Sequence, residues 1–452
     1  MAVATPQWAS RYAFLMAAIG SAVGLGNLWR FPFQAGQNGG SAFVIIYLVC
    51  VIVVAYPILI AELAIGRHKG LSAVGSTRGL AVDIGKSRNW AIVGWIGVIA
   101  SFIILTTYSI IAGQVLAYSV MSVLGEFAHY ASSDAAQPLS LYAGPTHALM
   151  WHTLFMVVTI LIVSAGLHGG IERVVKVLMP IFFVMLSGLS VYALTTGAAG
   201  DAIEYLFAPD FSALTPTIVL AALGQAFFSI GVGAAIMITY GSFLPKNEHI
   251  GGSAAIIAGS DTMVAIVAGL MIFPIVFANG LDPAAGSGLI FGALPAVFAG
   301  MPAGAIIGAL FFFLAFIAAL TTSISILITV SAVVVEELGL SRIKSAFAVG
   351  VLAWAVGALT VTISGLSGWL EFLSGSVLLP LCGLLVAALA GWVVPRNVMR
   401  NELSSTSDRH FNFWRILISY VSTVAIAFIM LLGIDEKVDF GLSEIISRLT
   451  GG

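Results

Sequence analysis

AFLMAAIGSAVGLGNLWRFPFQAG, residues 13–36, is apolar enough to cross a bilayer, yet it carries Gly20, Gly24 and Gly26 in its middle and Arg30 towards its end. A membrane core about 30 Å thick takes about 20 apolar residues per helix, and only proline forms helix less readily than glycine. The stretch therefore reads as a membrane span interrupted near its centre. A second run of the same kind, GQAFFSIGVG at 224–233, carries Gly224, Gly231 and Gly233. For one glycine-bearing helix, close helix packing is the competing reading. Matched breaks in two halves of a chain favour the interruption, because secondary transporters place such discontinuous helices around ions and solute at the midplane.

The composition agrees. Of 452 residues, 60% are hydrophobic and 8% charged, and the mean hydropathy is +1.08, whereas soluble domains are roughly a quarter charged. With 18 Lys and Arg against 20 Asp and Glu the net charge is −2, so there is no basic field to hold nucleic acid. Cys50 and Cys382 lie in apolar runs and read as packing residues. The gaps between polar clusters leave eleven runs: 12–36, 41–66, 90–124, 148–168, 171–196, 216–244, 250–278, 302–335, 345–364, 371–394 and 413–433. The first continues through Arg30 into further spans and is read as a retained helix, not a signal peptide. The predicted architecture is an all-α polytopic membrane protein of one domain, residues 1–452. It has a first repeat over about 12–196, a second over about 216–394 and an additional helix over about 413–433. No soluble domain is expected on either side.

Positive residues gather on the cytoplasmic side of membrane proteins. With the amino terminus inside, 15 of the 18 Lys and Arg fall in inner segments, the exceptions being Arg30, Lys437 and Arg448. The outer loops carry Glu126, Asp134, Asp201, Glu204, Asp210 and Asp282. Eleven spans then put the carboxyl terminus outside. Residues 434–452, with Asp435, Glu436, Asp439 and Glu444, are too polar for a twelfth span and predict a short surface helix. The absence of any Asn-x-Ser/Thr sequon and a short outer loop near 125–147 point to the plasma membrane of a bacterium.

Ionisable residues at membrane depth are costly and default to functional hypotheses. Here they are Arg30, Glu62, Asp261 and Glu371. Arg30 and Glu371, at the outer ends of spans one and ten, predict an ion pair over the site, either a gate or a static pair. Glu62, beside Arg67, reads as structural. Ala318, Thr321 and Thr322 share one face of the eighth span. With Ser229 and unwound backbone, the two threonines offer oxygen atoms suited to a hard cation, although such hydroxyls commonly bond back to their own helix.

GSAVGLGNLWRFP at 20–32, QNGGSAF at 37–43, GQAFFSIGVG at 224–233 and ALTTS at 319–323 together resemble the neurotransmitter:sodium symporters, the family of the bacterial leucine transporter. The resemblance covers the ten core spans. It implies a five-plus-five inverted repeat with helices one and six unwound at the midplane, and sodium-coupled alternating access. It further implies a first sodium site from Ala22, Asn27, Ser229 and Asp261, completed by the substrate carboxylate, and a second from Gly20, Val23, Ala318, Thr321 and Thr322. The implied substrate pocket comprises Ser21, Ala22, Leu25, Gly26, Ile104, Tyr108, Phe228, Gly231, Ala234, Thr322 and Ile326. Tyr108 would bond the substrate carboxylate, Phe228 would lie over the pocket, and Arg30 with Glu371 would close the outer vestibule near Gln34 and Gln225.

Departures from the family pattern carry information. Gly24 stands where monoamine carriers have aspartate, so the implied substrate keeps its own carboxylate. Gly231 and Ala234 stand where relatives often have larger residues, which predicts a pocket for bulky apolar or aromatic L-amino acids such as Leu, Met, Phe, Tyr or Trp. Asp261 replaces an asparagine that accompanies chloride in animal members, and Ala265 occupies the place of a glutamate found in some chloride-independent relatives. The expectation is chloride-independent transport, with Asp261 ionised when sodium is bound and protonated on return, giving proton antiport. Gly170 and Pro180 match the family's Gly-x9-Pro element, predicting an unwinding segment in helix five; an ordinary proline kink is the alternative. Trp8, Arg11 and Glu336 match the inner gate, but Thr5 replaces its usual arginine and Phe243 its usual tyrosine.

The reading is a sodium:amino-acid symporter needing the bilayer and no obligate protein partner. Its alternative is a sodium-coupled carrier of another small carboxylated solute or osmolyte. An amino-acid-gated channel would need a continuous polar pore, whereas the polar positions cluster. An enzyme would need a nucleophile with its base or a metal constellation, and the sequence has no Ser/His/Asp set, no His-Glu-x-x-His and no paired metal carboxylates.

Overall fold

A computed structural model describes residues 7–129, 144–211, 214–284, 289–439 and 441. Thr5, Asp134, Glu444 and Arg448 lie outside the described residues. Among those described, all regular structure is helical. Among the described residues nine helices are long and apolar enough to cross a membrane: Ser41–Lys69, Arg88–Val123, Pro145–Ser164, Leu167–Leu194, Ile250–Ala278, Gly304–Leu338, Arg342–Thr362, Leu366–Val393 and Asp408–Val438. A tenth is the bent pair Arg11–Ala22 and Gly26–Gln37, whose halves meet at 49°. The sixth apolar run is divided between Pro216–Ile230 and Ile236–Ser242, each too short to cross alone. The spans are numbered below as in the sequence, these two helices being the sixth.

Helix starts follow local chemistry. The hydroxyls of Ser10 and Thr215 accept from Ala13 N and Ile218 N, and Pro216 fills the first helical position, where its missing N–H costs nothing. Short helices absent from the sequence reading connect the spans: Ala73–Asp83, Ala199–Phe207, Leu294–Gly300 and Arg396–Glu402. The final span also corrects the sequence reading at 434–438. Helix continues through Asp435, which is 2% exposed, and Glu436 to Val438, so these residues prolong the span instead of starting a separate surface helix. Residues 440 and 442–452 lie outside the described residues.

Lipid gives helices no hydrophobic reason to associate, so small residues that let backbones meet decide the interior. A Cβ on Gly66 would stand 1.9 Å from the Ile238 carbonyl oxygen, and one on Gly241 would stand 2.5 Å from that of Leu63. The second span and the inner half of the sixth therefore touch backbone to backbone. This contact brings the carboxylate of Glu62 within reach of the sixth-span break.

Candidate functional site

The first span breaks after Ala22. Val23 is extended (φ −70°, ψ 103°), and winding resumes at Gly26 with the wider π spacing. The sixth breaks after Ile230, where Gly231, Gly233 and Ala235 all have positive φ, at 71°, 86° and 57°. At Gly233 only glycine fits, because a Cβ would stand 2.3 Å from the Leu379 carbonyl oxygen.

A carboxylate from the seventh span ties the two broken helices together. Asn27 Nδ2 donates to Asp261 Oδ1 at 2.7 Å, to the Asp261 carbonyl at 3.0 Å and to Ser229 Oγ at 3.2 Å. Ser229 Oγ donates to Asp261 Oδ2 at 2.7 Å. Asn27 and Asp261 are fully buried. The carboxylate and the hydroxyl are oxygen groups of the kind a hard cation takes, and Ala22, the last residue of the first helical half, is buried. Asn27 is turned the other way: its Oδ1 accepts from Gly24 N at 3.0 Å and its nitrogen faces Asp261. A half-turn of the amide exchanges them.

The second predicted group also comes together. Thr322 Oγ1 donates to the carbonyls of Ser21 at 3.3 Å and Val23 at 3.5 Å. Thr321 Oγ1 donates to those of Ile317 at 3.0 Å and Ala318 at 3.1 Å, which is the back-bonding alternative. A Cβ on Gly20 would lie 3.2 Å from Thr321 Cβ, so the first and eighth spans are in close contact here. Between the two groups, Tyr108 Oη accepts from Leu25 N at 3.2 Å. A Cβ on Gly231 would meet nothing within 4 Å, so this position borders open space. Of the remaining predicted pocket residues, Ser21, Ala22, Leu25, Ala234 and Ile326 are buried, while Gly26 and Ile104 are half-buried.

The outer groups differ from expectation. Among the described residues no ion pair joins Arg30 to Glu371. Instead the Arg30 guanidinium stands 4.2 Å above the ring of Phe228, itself 38% exposed. Among the described residues the buried Nη1 of this guanidinium has no hydrogen-bond partner, so the ring face is the group that meets its charge here. Of the two glutamines, Gln225 is fully buried, and Gln34 Oε1 accepts from Asn38 Nδ2 at 3.1 Å.

At the opposite end Trp8 is tied to the inner half of the sixth span. Trp8 Nε1 donates to the Tyr240 carbonyl at 3.2 Å, Trp8 N to that of Phe243 at 3.1 Å, and the Trp8 ring meets Tyr240 edge-on at 5.2 Å. Tyr240 Oη donates to Ser325 Oγ at 2.6 Å, so a tyrosine three residues before Phe243 supports the tryptophan. Arg11 pairs with Glu248 at 3.0 Å, while Glu336 accepts from Ser72 N at 2.7 Å. The three predicted inner-gate residues therefore work through separate contacts.

Glu62 keeps a structural role, and the fifth span is wound in this structure. Glu62 does not pair with Arg67, which is held by Glu402 at 3.0 Å. Glu62 Oε1 instead accepts from Gly233 N at 2.7 Å, inside the sixth-span break. The usable signal was the general rule that a carboxylate at membrane depth serves a function; the adjacent Arg67 obscured it. In the fifth span, 167–171 has π spacing and 172–194 is α-helical with Pro180 inside, so no unwinding occurs between Gly170 and Pro180 in this structure. Gly170 is required for packing: a Cβ would stand 2.0 Å from the Ile162 carbonyl oxygen.

Broken helices enclosing polar groups inside a bundle of membrane-length helices define a membrane transporter, not an enzyme. The family model for the sodium:neurotransmitter symporter family matches residues 5–137 and 143–444, and the chain belongs to that family. It is similar to the sodium-dependent transporter YhdH of Bacillus subtilis, at 36% identity over 95% of this chain and 98% of that protein. A sodium-dependent transporter of Haemophilus influenzae is 34% identical over 95% of this chain and 97% of that one. Among solved structures, MhsT in complex with L-phenylalanine superposes with a TM-score of 0.85 at 38% identity, covering 94% of this chain and 99% of that chain. The fold is thus the leucine-transporter fold, and the protein is a sodium-dependent transporter.

Proposed function

We propose that the protein is a symporter of bulky hydrophobic or aromatic L-amino acids, driven by sodium at two sites and independent of chloride. The observation that carries this reading is the buried Asp261 carboxylate, hydrogen-bonded to Asn27 and Ser229 where the two broken helices meet. A fixed negative charge here offsets a bound cation without a free anion, because charges attract strongly where water is excluded. Asp261, Asn27, Ser229 and the Ala22 carbonyl form the first site, joined by the substrate carboxylate. Gly20, Val23, Ala318, Thr321 and Thr322 form the second.

The open space beside Gly231 supports a large side chain, and so does the phenylalanine bound by MhsT. Tyr108 holds the substrate carboxylate, and Phe228, Arg30 and Glu371 cover the pocket when the outer side closes. Trp8, Arg11 and Glu336 belong to the inner side, which the excess of Lys and Arg puts in the cytosol. Reading Pro216–Ile230 and Ile236–Ser242 as one broken span gives eleven crossings in two repeats with an extra helix, and an outer carboxyl terminus. Unwinding between Gly170 and Pro180 opens the second site inward, and Asp261 returns protonated, exporting a proton.

Binding of labelled leucine and tryptophan to purified protein in sodium chloride, sodium gluconate and potassium chloride tests the reading. It expects binding in both sodium salts and none in potassium. Binding in sodium chloride alone removes the role given to Asp261. Sodium-dependent binding of neither amino acid turns the assignment towards another small carboxylated solute.

A further inference from the structure

At the Trp8 end, outside the transport site, the chain surrounds a cavity of about 620 Å³, within the size range of small-molecule sites. Its wall comes from four places: residues 70–72 after the second span, 163–167 where the fourth meets the fifth, 242–243 at the end of the sixth, and 328–342 from the eighth span into the ninth. None of the residues assigned to the two sodium sites or to the substrate pocket lines it. Glycines make the room: Gly70 and Gly166 hold φ at 66° and 82°, and a Cβ on Gly166 would meet nothing within 4 Å.

Most of the wall is apolar, with Val163, Leu167, Phe243, Ile328 and Val335 around it. Three polar side chains interrupt it. Glu336 accepts from Ser72 N through Oε2 at 2.7 Å, and an ionised carboxylate has acceptor sites to spare. Arg342, the first residue of the ninth span, joins no ion pair among the described residues. The residue after Glu336, Glu337, is already paired with Arg78 at 2.7 Å. The third side chain is Ser331. Hydroxyls inside a helix commonly bond back to their own chain, and on this span Ser325 and Thr329 do so, to the carbonyls of Thr321 and Ser325 at 2.8 Å each. Ser331, 5% exposed, does not: its hydroxyl has no hydrogen-bond partner among the described residues. Buried polar groups are nearly always bonded, so a bare hydroxyl in a cavity wall points to an occupant.

We propose that this cavity is a second site for the bulky apolar L-amino acid that the transporter delivers, on the side that the excess of Lys and Arg puts in the cytosol. The identity of the occupant rests on the amino-acid reading of the transport site. An amino acid carries an ammonium and a carboxylate on the carbon that bears its side chain. Glu336 offers an acceptor to the ammonium, Arg342 offers a fork of donors to the carboxylate, and the apolar wall takes the side chain. Ser331 Oγ then accepts from an indole N–H or a tyrosine hydroxyl. A plain hydrocarbon leaves both charges unused, and an anionic amphiphile sets its charge against Glu336. A zwitterion with an apolar body uses all three polar groups.

No sodium ligand stands in the wall, so binding here needs no sodium. Charge pairs open to water are weak, which puts the affinity in the millimolar range. Labelled amino acid at concentrations that fill the transport site does not fill this one. Sodium-driven uptake concentrates the amino acid on this side, where a weak site can meet it.

Photo-leucine, whose diazirine side chain inserts into neighbouring bonds on irradiation, tests this on the full-length protein in lipid nanodiscs, with the labelled residues mapped by mass spectrometry. In potassium chloride, at millimolar concentration, it should label residues 163–167 and 328–342. Tryptophan should displace it at lower concentration than indole, which lacks both charges. Arg342→Gln should raise the concentration of photo-leucine needed about fivefold, the most that one exposed charge pair is worth. Arg342 is exposed, and a helix start does not depend on a cation, so this variant folds. Ala332→Phe, which fills the cavity from the eighth span, should abolish the labelling. Absence of label at those residues overturns the proposal, as does displacement by indole as effective as by tryptophan, or unchanged labelling in the two variants. Label beside Tyr108 in sodium chloride reports the transport site separately. Its presence with an unlabelled cavity sinks this inference alone, and its absence sinks the transport reading.

Discussion

The two helix breaks solve one problem in different ways. At 23–25 the chain departs little from ordinary backbone angles, and its freed groups are held by side chains: Asn27 Oδ1 on Gly24 N, Tyr108 Oη on Leu25 N and Thr322 Oγ1 on the carbonyls of Ser21 and Val23. At 231–235 the chain turns through three residues of positive φ, and a carboxylate from the second span holds Gly233 N. The first break is thus built from groups that also face the proposed ligands, so ligands can exchange for its hydrogen bonds. The second is fixed by backbone shape and by Glu62, which lies on its far side. A hinge and its anvil would be divided in this way, with the adaptable half reading ions and the rigid half keeping the pocket's form.

The largest effects should come from breaking the rigid half. Gly233→Ala puts a Cβ 2.3 Å from the Leu379 carbonyl at a φ of 86°. Overpacking and left-handed strain together cost about 3 kcal/mol or more, so sodium-dependent binding and most of the thermal stability in detergent should be lost. Gly231→Ala is the control: its φ is 71° but its Cβ meets open space. It should cost about 1 kcal/mol of stability and weaken tryptophan binding more than leucine binding. Equal losses in the two variants would remove the distinction between a wall and a pocket edge. Next in size is Glu62→Ala, which strands the Gly233 N–H at a cost of about 2 kcal/mol; Glu62→Gln keeps an acceptor and should recover most of it. Melting curves of both, with and without sodium, measure this.

How far the sequence disclosed these features depends on whether the signal was local. The glycines at 20, 24 and 26 and at 231 and 233 marked both breaks, because helix propensity is a property of a short stretch. Asn27, Ser229 and Asp261 could be gathered only through the family resemblance, since 202 and 234 residues separate the hydrogen-bonded partners. Glu62 reads as structural from the sequence, but its partner is not legible there: a backbone contact permitted by Gly66 and Gly241 brings it to Gly233 N and not to its sequence neighbour Arg67. The expected Arg30–Glu371 pair fails for a different reason: it depends on how far the outer side has closed, which no residue pattern specifies. The tie from Trp8 to Tyr240 likewise crosses 232 residues.

The adaptable half is sharpened by smaller changes. Tyr108→Phe removes the acceptor for Leu25 N and the proposed donor to the substrate carboxylate. A hydrogen bond of this kind is worth about 1 kcal/mol, so substrate affinity should fall about fivefold to tenfold, while the Leu25 N–H left without its acceptor lowers the melting temperature without substrate by less than Glu62→Ala does. A large fall in stability instead would show that the first break is as rigid as the second.

The smallest effect expected is near zero. Ala235 holds φ at 57° just before the helix restarts at Ile236, and it is fully buried. Left-handed backbone costs an alanine about 1 kcal/mol, and glycine escapes this but loses more chain entropy on folding and leaves out a buried methyl worth about 0.8 kcal/mol. Ala235→Gly should therefore leave the stability within about 1 kcal/mol of wild type. If the rigidity of the sixth-span break serves transport, the same variant should bind substrate as before but turn over more slowly, because the inner half would restart its helix less definitely. Unchanged binding with slower uptake in proteoliposomes would place the function of the strained residue in the motion. Unchanged uptake would mean that Gly233 and Glu62 alone fix the break, and that the positive φ at Ala235 is merely tolerated.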